Sequence, residues 1–325
     1  MKTDEPYIII LNWNGKQDTL DCLESLSHVQ TPHQIIVVDN GSSDDSVQAI
    51  AAAFPLISLI ETGENLGYAE GNNVGICEAL KRGATHLLIL NNDTTVEPDF
   101  LDAFLARDDA IQGAKPLLAS DPTTLDHLGG MWEPKKGAFS LIGCREEANR
   151  WNERIPLDYV CGVALFAKAE VFKKIGLFEP RFFLFWEEND WCARAKRAGY
   201  QPYFCPSAKL YHKVSASFTG GKAHTTYFWW RNRLFWIKRN CSKKEKRNLY
   251  VRILIPEMGH ILKLYPIKAL QLALLKIARP QVDLTEKKER LRNYKAALTG
   301  MKDYFLGRFG NGPTWIFTRP NRQLK

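Results

Sequence analysis

Two acidic clusters in this 325-residue chain are placed to do chemistry. The first closes an apolar run, His86-Leu87-Leu88-Ile89-Leu90, with Asn91-Asn92-Asp93-Thr94-Thr95-Val96. Such a run reads as a buried strand delivering oxygen ligands at its carboxyl end. In open α/β sheets that edge is where ligands bind. Asp93 offers a carboxylate and Asn91 and Asn92 offer amide oxygens, a donor set that suits a hard divalent cation such as Mg²⁺ or Mn²⁺. An ion held so sparsely would keep waters and share a substrate phosphate. Asn, Asp and Thr are also turn formers, and for this segment taken alone the turn is the plainer reading. The second cluster is Phe182-Phe183-Leu184-Phe185-Trp186-Glu187-Glu188-Asn189-Asp190-Trp191. Aromatic walls beside Glu187, Glu188 and Asp190 can raise a carboxylate pKa toward that of a general base. One acid could instead cap a helix expected over residues 191–198, and the others could pair with Arg194 or Arg197. The pattern predicts one catalytic acid and at least one structural one. His212, after a strand expected over 208–211, reads by itself as a hydrogen-bonded histidine.

The elements that must position these groups alternate. Strands are expected at 7–11, 34–38, 56–60 and 86–90, each an apolar run. Leu20, Leu23 and Leu26 recur at helical spacing, Val47, Ile50 and Ala51 mark a second helix broken near Pro55, and a third runs around 76–80. The glycine-punctuated stretch 63–73 precedes that third helix. The alternation argues for an α/β fold with a largely parallel sheet and helices on both faces. Residues 113–157 read as loops with short strands closing over a cleft, where Gly129, Gly130 and Trp132 could line a binding surface and Trp132 could equally be core. A strand at 159–166 and a helix over 170–175 follow. No internal repeat is visible.

Hydrophobic residues make up 45% and charged residues 25%, the balance of an ordinary globular chain with ample core. The net charge of +8 is uneven. Residues 238–325 hold 21 Lys+Arg against 6 Asp+Glu, leaving an acidic front and a basic back. That asymmetry suits an anionic partner or a merely solvated face. Seven cysteines without a C-x-x-C pair fit a reducing compartment better than a disulfide framework or a zinc site. The start of the chain carries no signal-peptide pattern, and no apolar stretch reaches the ~18 residues of a transmembrane helix. A cytoplasmic protein, peripheral on the inner face of a membrane at most, is expected.

Each strand of the front half ends in polar groups, as a nucleotide pocket requires. Asp39 could accept from a base N–H or a ribose hydroxyl, and the Asn12-Trp13-Asn14-Gly15 turn lies beside it. The glycines of 65–71 could admit phosphate close to backbone N–H groups. G-x-G-x-x-G after the first strand and the P-loop pattern are both missing, which disfavours a dinucleotide dehydrogenase and a P-loop nucleotidase.

In order along the chain, Asn12-Trp13-Asn14, Val37-Val38-Asp39-Asn40-Gly41-Ser42, Glu64-Asn65-Leu66-Gly67-Tyr68 and Leu90-Asn91-Asn92-Asp93 resemble the signatures of family 2 glycosyltransferases. The resemblance is strongest to the bacterial rhamnosyltransferase-like branch. It continues through Asp158-Tyr159-Val160-Cys161-Gly162, Gly176-Leu177-Phe178, the Phe185–Trp191 stretch, Tyr211-His212-Lys213 and Arg231-Asn232, covering about the first two-thirds of the chain.

That resemblance implies a GT-A fold: a Rossmann-like mixed sheet, residues 1–237, with a nucleotide-sugar half (1–112) and an acceptor half (113–237). A basic, mainly helical C-terminal region (238–325) follows. It implies inverting, metal-dependent transfer from a nucleoside-diphosphate sugar, with dTDP-rhamnose the first donor to try, to a glycan or lipid-linked acceptor in cell-surface polysaccharide synthesis. By the same resemblance Asn12, Trp13, Asn14, Asp39, Asn65, Gly67, Asn91 and Asn92 hold the nucleotide-sugar. Asp93 and His212 hold the Mg²⁺ or Mn²⁺. Cys161, Gly162, Trp186 and Asp190 lie on the acceptor side. The family's base maps to Glu188, where aspartate is more usual, with Glu187 as the fallback. The stretch 215–224 reads as a lid over the diphosphate. The apolar but proline-interrupted run 249–277 reads as broken amphipathic helices that could meet an anionic membrane surface, self-associate or pack back on the fold. No nucleic-acid partner is expected. The competing readings are a nucleotidyltransferase releasing pyrophosphate, and a non-catalytic carbohydrate- or nucleic-acid-binding module.

Overall fold

The structure is a computed structural model and describes residues 5–214, 222–279 and 281–318. Residues 215–221 of the expected lid lie outside the described residues. By internal contacts the chain divides into two units.

The first unit comprises residues up to Trp132, Phe139–Phe183 and Glu187–Ser215. Its elements are β1 (Pro6–Asn12), α1 (Lys16–Ser27), β2 (Gln34–Asp39), α2 (Ser46–Ala53), β3 (Ser58–Glu61), α3 (Gly67–Lys81) and β4 (His86–Asn91). Then come β5 (Thr94–Val96), α4 (Phe100–Leu105), β6 (Ile111–Leu118), β7 (Asp121–Leu125), β8 (Gly129–Glu133) and β9 (Ala138–Ile142). The unit closes with β10 (Tyr159–Val160), β11 (Ala164–Lys168), α5 (Ala169–Ile175), α6 (Glu187–Arg197) and β12 (Pro202–His212).

Nine strands form one sheet in the order β3-β2-β1-β4-β11-β6-β12-β5, with β7 on β6; β10-β8-β9 form a second. The parallel expectation holds for β3, β2, β1 and β4. Beyond them β11 enters antiparallel to both β4 and β6, so the sheet is mixed. No crossover helix precedes β11; the chain turns back at Cys161-Gly162-Val163, which splits the strand expected over 159–166. The central strands are buried on both faces, which explains their unbroken apolar runs. Ile9, Ile36, Val38 and Ile89 join one core, while Ile8, Ile10, Val37, Leu88 and Leu90 join the other.

Two helices begin earlier than their apolar periodicity suggests. The third helix starts at Gly67 and takes in Gly71 and Gly75. A Cβ at Gly71 would lie 2.6 Å from Leu11 Cδ1, and one at Gly75 2.6 Å from Ile9 Cγ2 and 3.1 Å from Val38 Cγ2. These glycines therefore let α3 sit directly on β1 and β2. The helix expected over 191–198 starts at Glu187, so both glutamates occupy its first turn.

The second unit comprises Glu133–Ala138, Leu184–Trp186 and the described residues of Ala216–Lys325. It contains α7 (Ala223–Asn240), α8 (Lys243–Leu249), a π-helical turn (Tyr250–Leu254), α9 (Ile255–Ala278) and α10 (Thr285–Phe305). The 237/238 junction lies inside α7. A capping box between Ser242 and Glu245 starts α8. The run 249–277 is continuous where breaks are expected: Pro256 stands just after the π-helical turn, at the second residue of α9, and the helix carries Pro266 within it. Arg233, buried in α7, is met by Glu257 (2.6 Å) and by the carbonyls of Lys136 (2.7 Å) and Gly137 (2.8 Å). Among the described residues no helix is long and apolar enough to cross a membrane.

Because Gly75 faces β-branched side chains that cannot swing away, Gly75→Val should cost about 1–3 kcal/mol of overpacking. Urea unfolding of the variant against the parent protein measures that loss.

Candidate active site

The carboxyl ends of β1, β2 and β4 are joined by one polar network. Asn12, fully buried, donates from Nδ2 to Asp39 Oδ2 (2.7 Å) and Ser42 Oγ (3.1 Å). Its Oδ1 accepts from Thr19 Oγ1 (2.8 Å), which in turn accepts from Asn92 Nδ2 (2.9 Å). Asp39 Oδ1 accepts from Ser42 N (2.9 Å). Each carboxylate oxygen of Asp39 thus keeps lone-pair capacity beyond the one bond named. Asn14, at φ +51°, accepts from Ser43 N (2.7 Å) and Asp44 N (3.3 Å), so it locks the loop after β2. Trp13, between them, is 51% exposed and presents its ring to solvent. Asn65 Oδ1 accepts from Gly67 N (2.8 Å) and Asn40 Nδ2 (3.2 Å), which shapes the entry to α3.

Past β4, Asp93 meets the end of β12. His212 Nε2 lies 3.2 Å from Asp93 Oδ1, and Nδ1 lies 2.9 Å from Asp126 Oδ2. The backbone agrees, because Lys213 N donates to Asp93 O (2.9 Å) while Lys213 Nζ reaches Asp18 (2.8 Å) and Asp21 (2.6 Å) on α1. Burial by itself would lower the His212 pKa; the Asp126 and Asp93 carboxylates outweigh it and raise the value to about 9. Among the described residues no three His, Cys, Asp or Glu side chains are grouped to hold an ion. A pair suffices for a cation that draws its remaining ligands from water and a diphosphate. Asp126 fixes the ring so that Nε2 faces Asp93, the arrangement found behind metal-bound histidines. The residues fit.

The second cluster opens α6. Phe183 (φ +63°), Phe185 (φ +66°) and Trp186 (φ +76°) hold left-handed backbone immediately before it. Non-glycine residues adopt such conformations only when their surroundings impose them. The carbonyl of Phe183 accepts from Tyr68 N (2.6 Å) and Ala69 N (3.3 Å) at the start of α3. In the second unit, buried Asn232 donates from Nδ2 to both Leu184 O and Phe185 O (2.8 Å each). Glu187 is buried and Glu188 half-buried, and Oε2 of each is buried without a hydrogen-bond partner. Burial pushes Glu187 well above the usual carboxylate range, and the Glu188 carboxylate pushes it further. Burial also raises Glu188, to about 7, while helix-start N–H groups and the Glu187 side chain hold it back. Both carboxyls of the pair are thus held above the usual carboxylate range by burial.

Tyr68 connects the two clusters. Its hydroxyl lies 3.0 Å from Asn91 Oδ1 and 2.8 Å from Gly162 O. At Gly162 a Cβ would stand 3.1 Å from Glu188 Oε1, so that carboxylate would have to shift slightly for any larger residue.

Three residues expected on the acceptor side are found as follows. Asp190 is fully buried and accepts from Arg194 Nε (3.0 Å), which also binds the carbonyls of Ile175 (2.6 Å) and Leu177 (2.5 Å). Cys161 is buried 3.4 Å from His127 Nε2, and burial pushes its thiol well up, leaving it neutral. Trp186 belongs to the second unit and packs against Trp236 at 6.1 Å between centroids. Thr19, Ser42, Tyr68 and Asp126 join these hydrogen-bond networks, although the sequence reading assigns them no role. Only Tyr68 and Ser42 stood within quoted motifs; Thr19 and Asp126 lie in stretches with no chemical signature.

A mixed sheet whose parallel strand ends carry a nucleotide-type polar network, a strand-end Asp–His pair and a separate glutamate pair is a GT-A glycosyltransferase fold. The same fold appears in a mannosyltransferase from Pyrobaculum calidifontis solved with GDP-Man and Mn²⁺ (TM-score 0.55, 15% identity, 92% of this chain and 87% of that one). Residues 7–170 match Glycosyl transferase family 2, and the chain belongs to that family. It is 27% identical over 272 residues to an N-acetylglucosaminyl-diphospho-decaprenol L-rhamnosyltransferase of Mycobacterium tuberculosis, across 71% of this chain and 87% of the relative. It is 26% identical over 259 residues to the low-salt glycan biosynthesis hexosyltransferase Agl10 of Haloferax volcanii, across 78% of this chain and 81% of the relative.

The glutamate pair also sets a pH dependence. Both carboxyls bind protons more tightly folded than unfolded, so the stability they contribute is full below their ordinary value of 4.5. It is lost as pH rises through about 7 for Glu188 and higher for Glu187. Between about pH 5 and pH 8 the protein should therefore lose stability by this route. Glu187→Gln should flatten that slope in urea unfolding measured across the same range.

Proposed function

We propose that this glycosyltransferase is inverting and metal-dependent, and that it moves a sugar from a nucleoside-diphosphate donor to a glycan or lipid-linked acceptor. The observation that carries the reading is Glu188. It is a carboxylate poised near neutrality, with an oxygen lacking any partner, joined through Gly162 and Tyr68 to the strand end bearing Asp93.

Asp39 and Asn12 hold the nucleoside, Trp13 offers a flat face beside it, and Asn65 shapes the neighbouring loop. Asp93 and His212 would hold the cation. A bound Mg²⁺ or Mn²⁺ would offset the charge gathering on the departing diphosphate. Glu188 takes the proton of the acceptor hydroxyl as that oxygen bonds the anomeric carbon. The bond to the diphosphate breaks on the opposite face, and its electron pair leaves with the nucleoside diphosphate. Glu187, whose carboxyl burial and its neighbour hold above the usual carboxylate range, stands beside the base. The rhamnosyltransferase name of the mycobacterial relative makes dTDP-rhamnose the first donor to test. Its diphospho-decaprenol substrate supports a lipid-linked acceptor in polysaccharide synthesis.

A donor screen that detects the released nucleotide tests the class directly. Nucleoside diphosphate is expected; pyrophosphate would identify a nucleotidyltransferase instead. Glu188→Gln keeps shape but not basicity, and should lower turnover ~10²–10⁴-fold with donor affinity nearly intact. Normal turnover in Glu188→Gln together with a dead Glu187→Gln would move the base to Glu187. Asp126→Asn weakens the hold on the His212 ring and should raise the metal concentration for half-maximal turnover about 10–100-fold. Calorimetry of Asp39→Ala should show nucleoside-diphosphate binding weaker by ~1–3 kcal/mol.

A further inference from the structure

Three separate elements of the site meet at Tyr68. Its backbone N–H donates to Phe183 O (2.6 Å), in the segment that leads into α6 and its glutamates. Its hydroxyl lies 3.0 Å from Asn91 Oδ1, at the end of β4, and 2.8 Å from Gly162 O, in the turn before β11. A phenol carries one proton and both of these oxygens are acceptors, so they share it. Burial, then the Glu187 and Glu188 carboxylates, raise the phenol well above its ordinary value of 10.0, so it stays a donor in neutral solution.

The residue is itself held in place. Asn72 Nδ2 donates to Tyr68 O (2.9 Å) one turn along α3. Buried Asn73 accepts from Phe178 N (3.0 Å) and donates to Phe178 O (3.0 Å), which fixes the helix against the chain ahead of α6. Gly67 permits the close approach: its φ is +83°, and a Cβ there would lie 2.6 Å from Phe183 O. Packing alone does not call for the hydroxyl, because phenylalanine fills the same space.

What lies beyond the two acceptors gives the hydroxyl its consequence. Asn91 N donates to Val163 O (2.9 Å), so the end of β4 and the 161–163 turn also meet through backbone. Gly162 borders Glu188: a Cβ on it would stand 3.1 Å from Oε1 and 3.4 Å from Cδ of that side chain. A small shift of the turn is therefore felt at the Glu188 carboxyl.

We propose that Tyr68 is a positioning residue for the transfer step. Its hydroxyl holds the Gly162 turn against the end of β4, and so sets where the Glu188 carboxyl stands relative to the donor. This rests on the reading of Glu188 as the base.

Tyr68→Phe, Glu188→Gln and the double variant test it, with turnover followed as nucleoside-diphosphate release and expressed per folded protein from urea unfolding. Tyr68→Phe should lower kcat ~10–100-fold, as small displacements of reacting groups do, with donor KM and calorimetric nucleoside-diphosphate affinity within about 2-fold. Its profile of kcat against pH should keep the parent's acid limb at a lower plateau. In the Glu188→Gln background the same change should cost less than about 2-fold, because a residue acting through the base has nothing left to position. Normal kcat in Tyr68→Phe, or an equal loss in both backgrounds, overturns the proposal and leaves Glu188 as the base. A displaced acid limb at an unchanged plateau overturns it too, since Tyr68 would then tune the carboxyl and not place it. Normal turnover in Glu188→Gln removes the base itself, and the proposal with it.

Discussion

A single buried amide ties together the ends of three neighbouring strands. Asn12 donates to Asp39 on β2 and, through Thr19, reaches Asn92 beyond β4. In a parallel sheet the strand ends diverge with the twist, and their terminal polar groups lose water as helices close over them. A residue that both donates and accepts can satisfy an acid on one side and a hydroxyl on the other. Aspartate at position 12 would face Asp39 as a like charge, and leucine would leave that buried carboxylate short of a partner. The position of Asp39, and so of any nucleoside it binds, depends on this contact.

The acidic end of α6 is built at a cost to the fold. Three left-handed residues precede it, and two carboxyls lie in its first turn with an oxygen each unpartnered. Such conformations cost of order 1–3 kcal/mol apiece and persist where surrounding contacts over-determine them. Here those contacts are Phe183 O on the first turn of α3, and Asn232 on the carbonyls of Leu184 and Phe185. Asn232 holds both of those carbonyls with one amide nitrogen. The helix N-terminus itself favours negative charge, which keeps Glu188 near neutrality instead of locking it protonated.

How far the sequence speaks depends on whether a signal is local. The four parallel strands were legible because burial on both faces makes them continuous apolar runs. The acids at 93, 187 and 188 were legible because they follow or adjoin apolar segments. The direction of β11 was hidden, since Ala164–Lys168 looks the same whichever way it pairs. The early start of α3 was hidden because glycine normally argues against helix, whereas Gly71 and Gly75 serve packing on β1. Asp126 lies 86 residues from His212, and nothing near it in the chain marks it as the ring's partner. Tyr68 reads as one more apolar residue until its hydroxyl is seen between Asn91 and Gly162.

The neutral amides beside Asp93 follow from the same hydrogen-bond arithmetic. Asn92 must donate to Thr19, whose own proton goes to Asn12; an ionised aspartate there has no proton to give. Asn91 only accepts, from Tyr68, so a carboxylate would satisfy that bond equally well. It would, however, add charge beside Asp93 and near the phenol that already feels Glu187 and Glu188. A further anion in that enclosure would push the Glu188 pKa higher still. Keeping position 91 neutral spares the Glu188 carboxyl that added charge and leaves Asp93 as the sole acid at the end of β4.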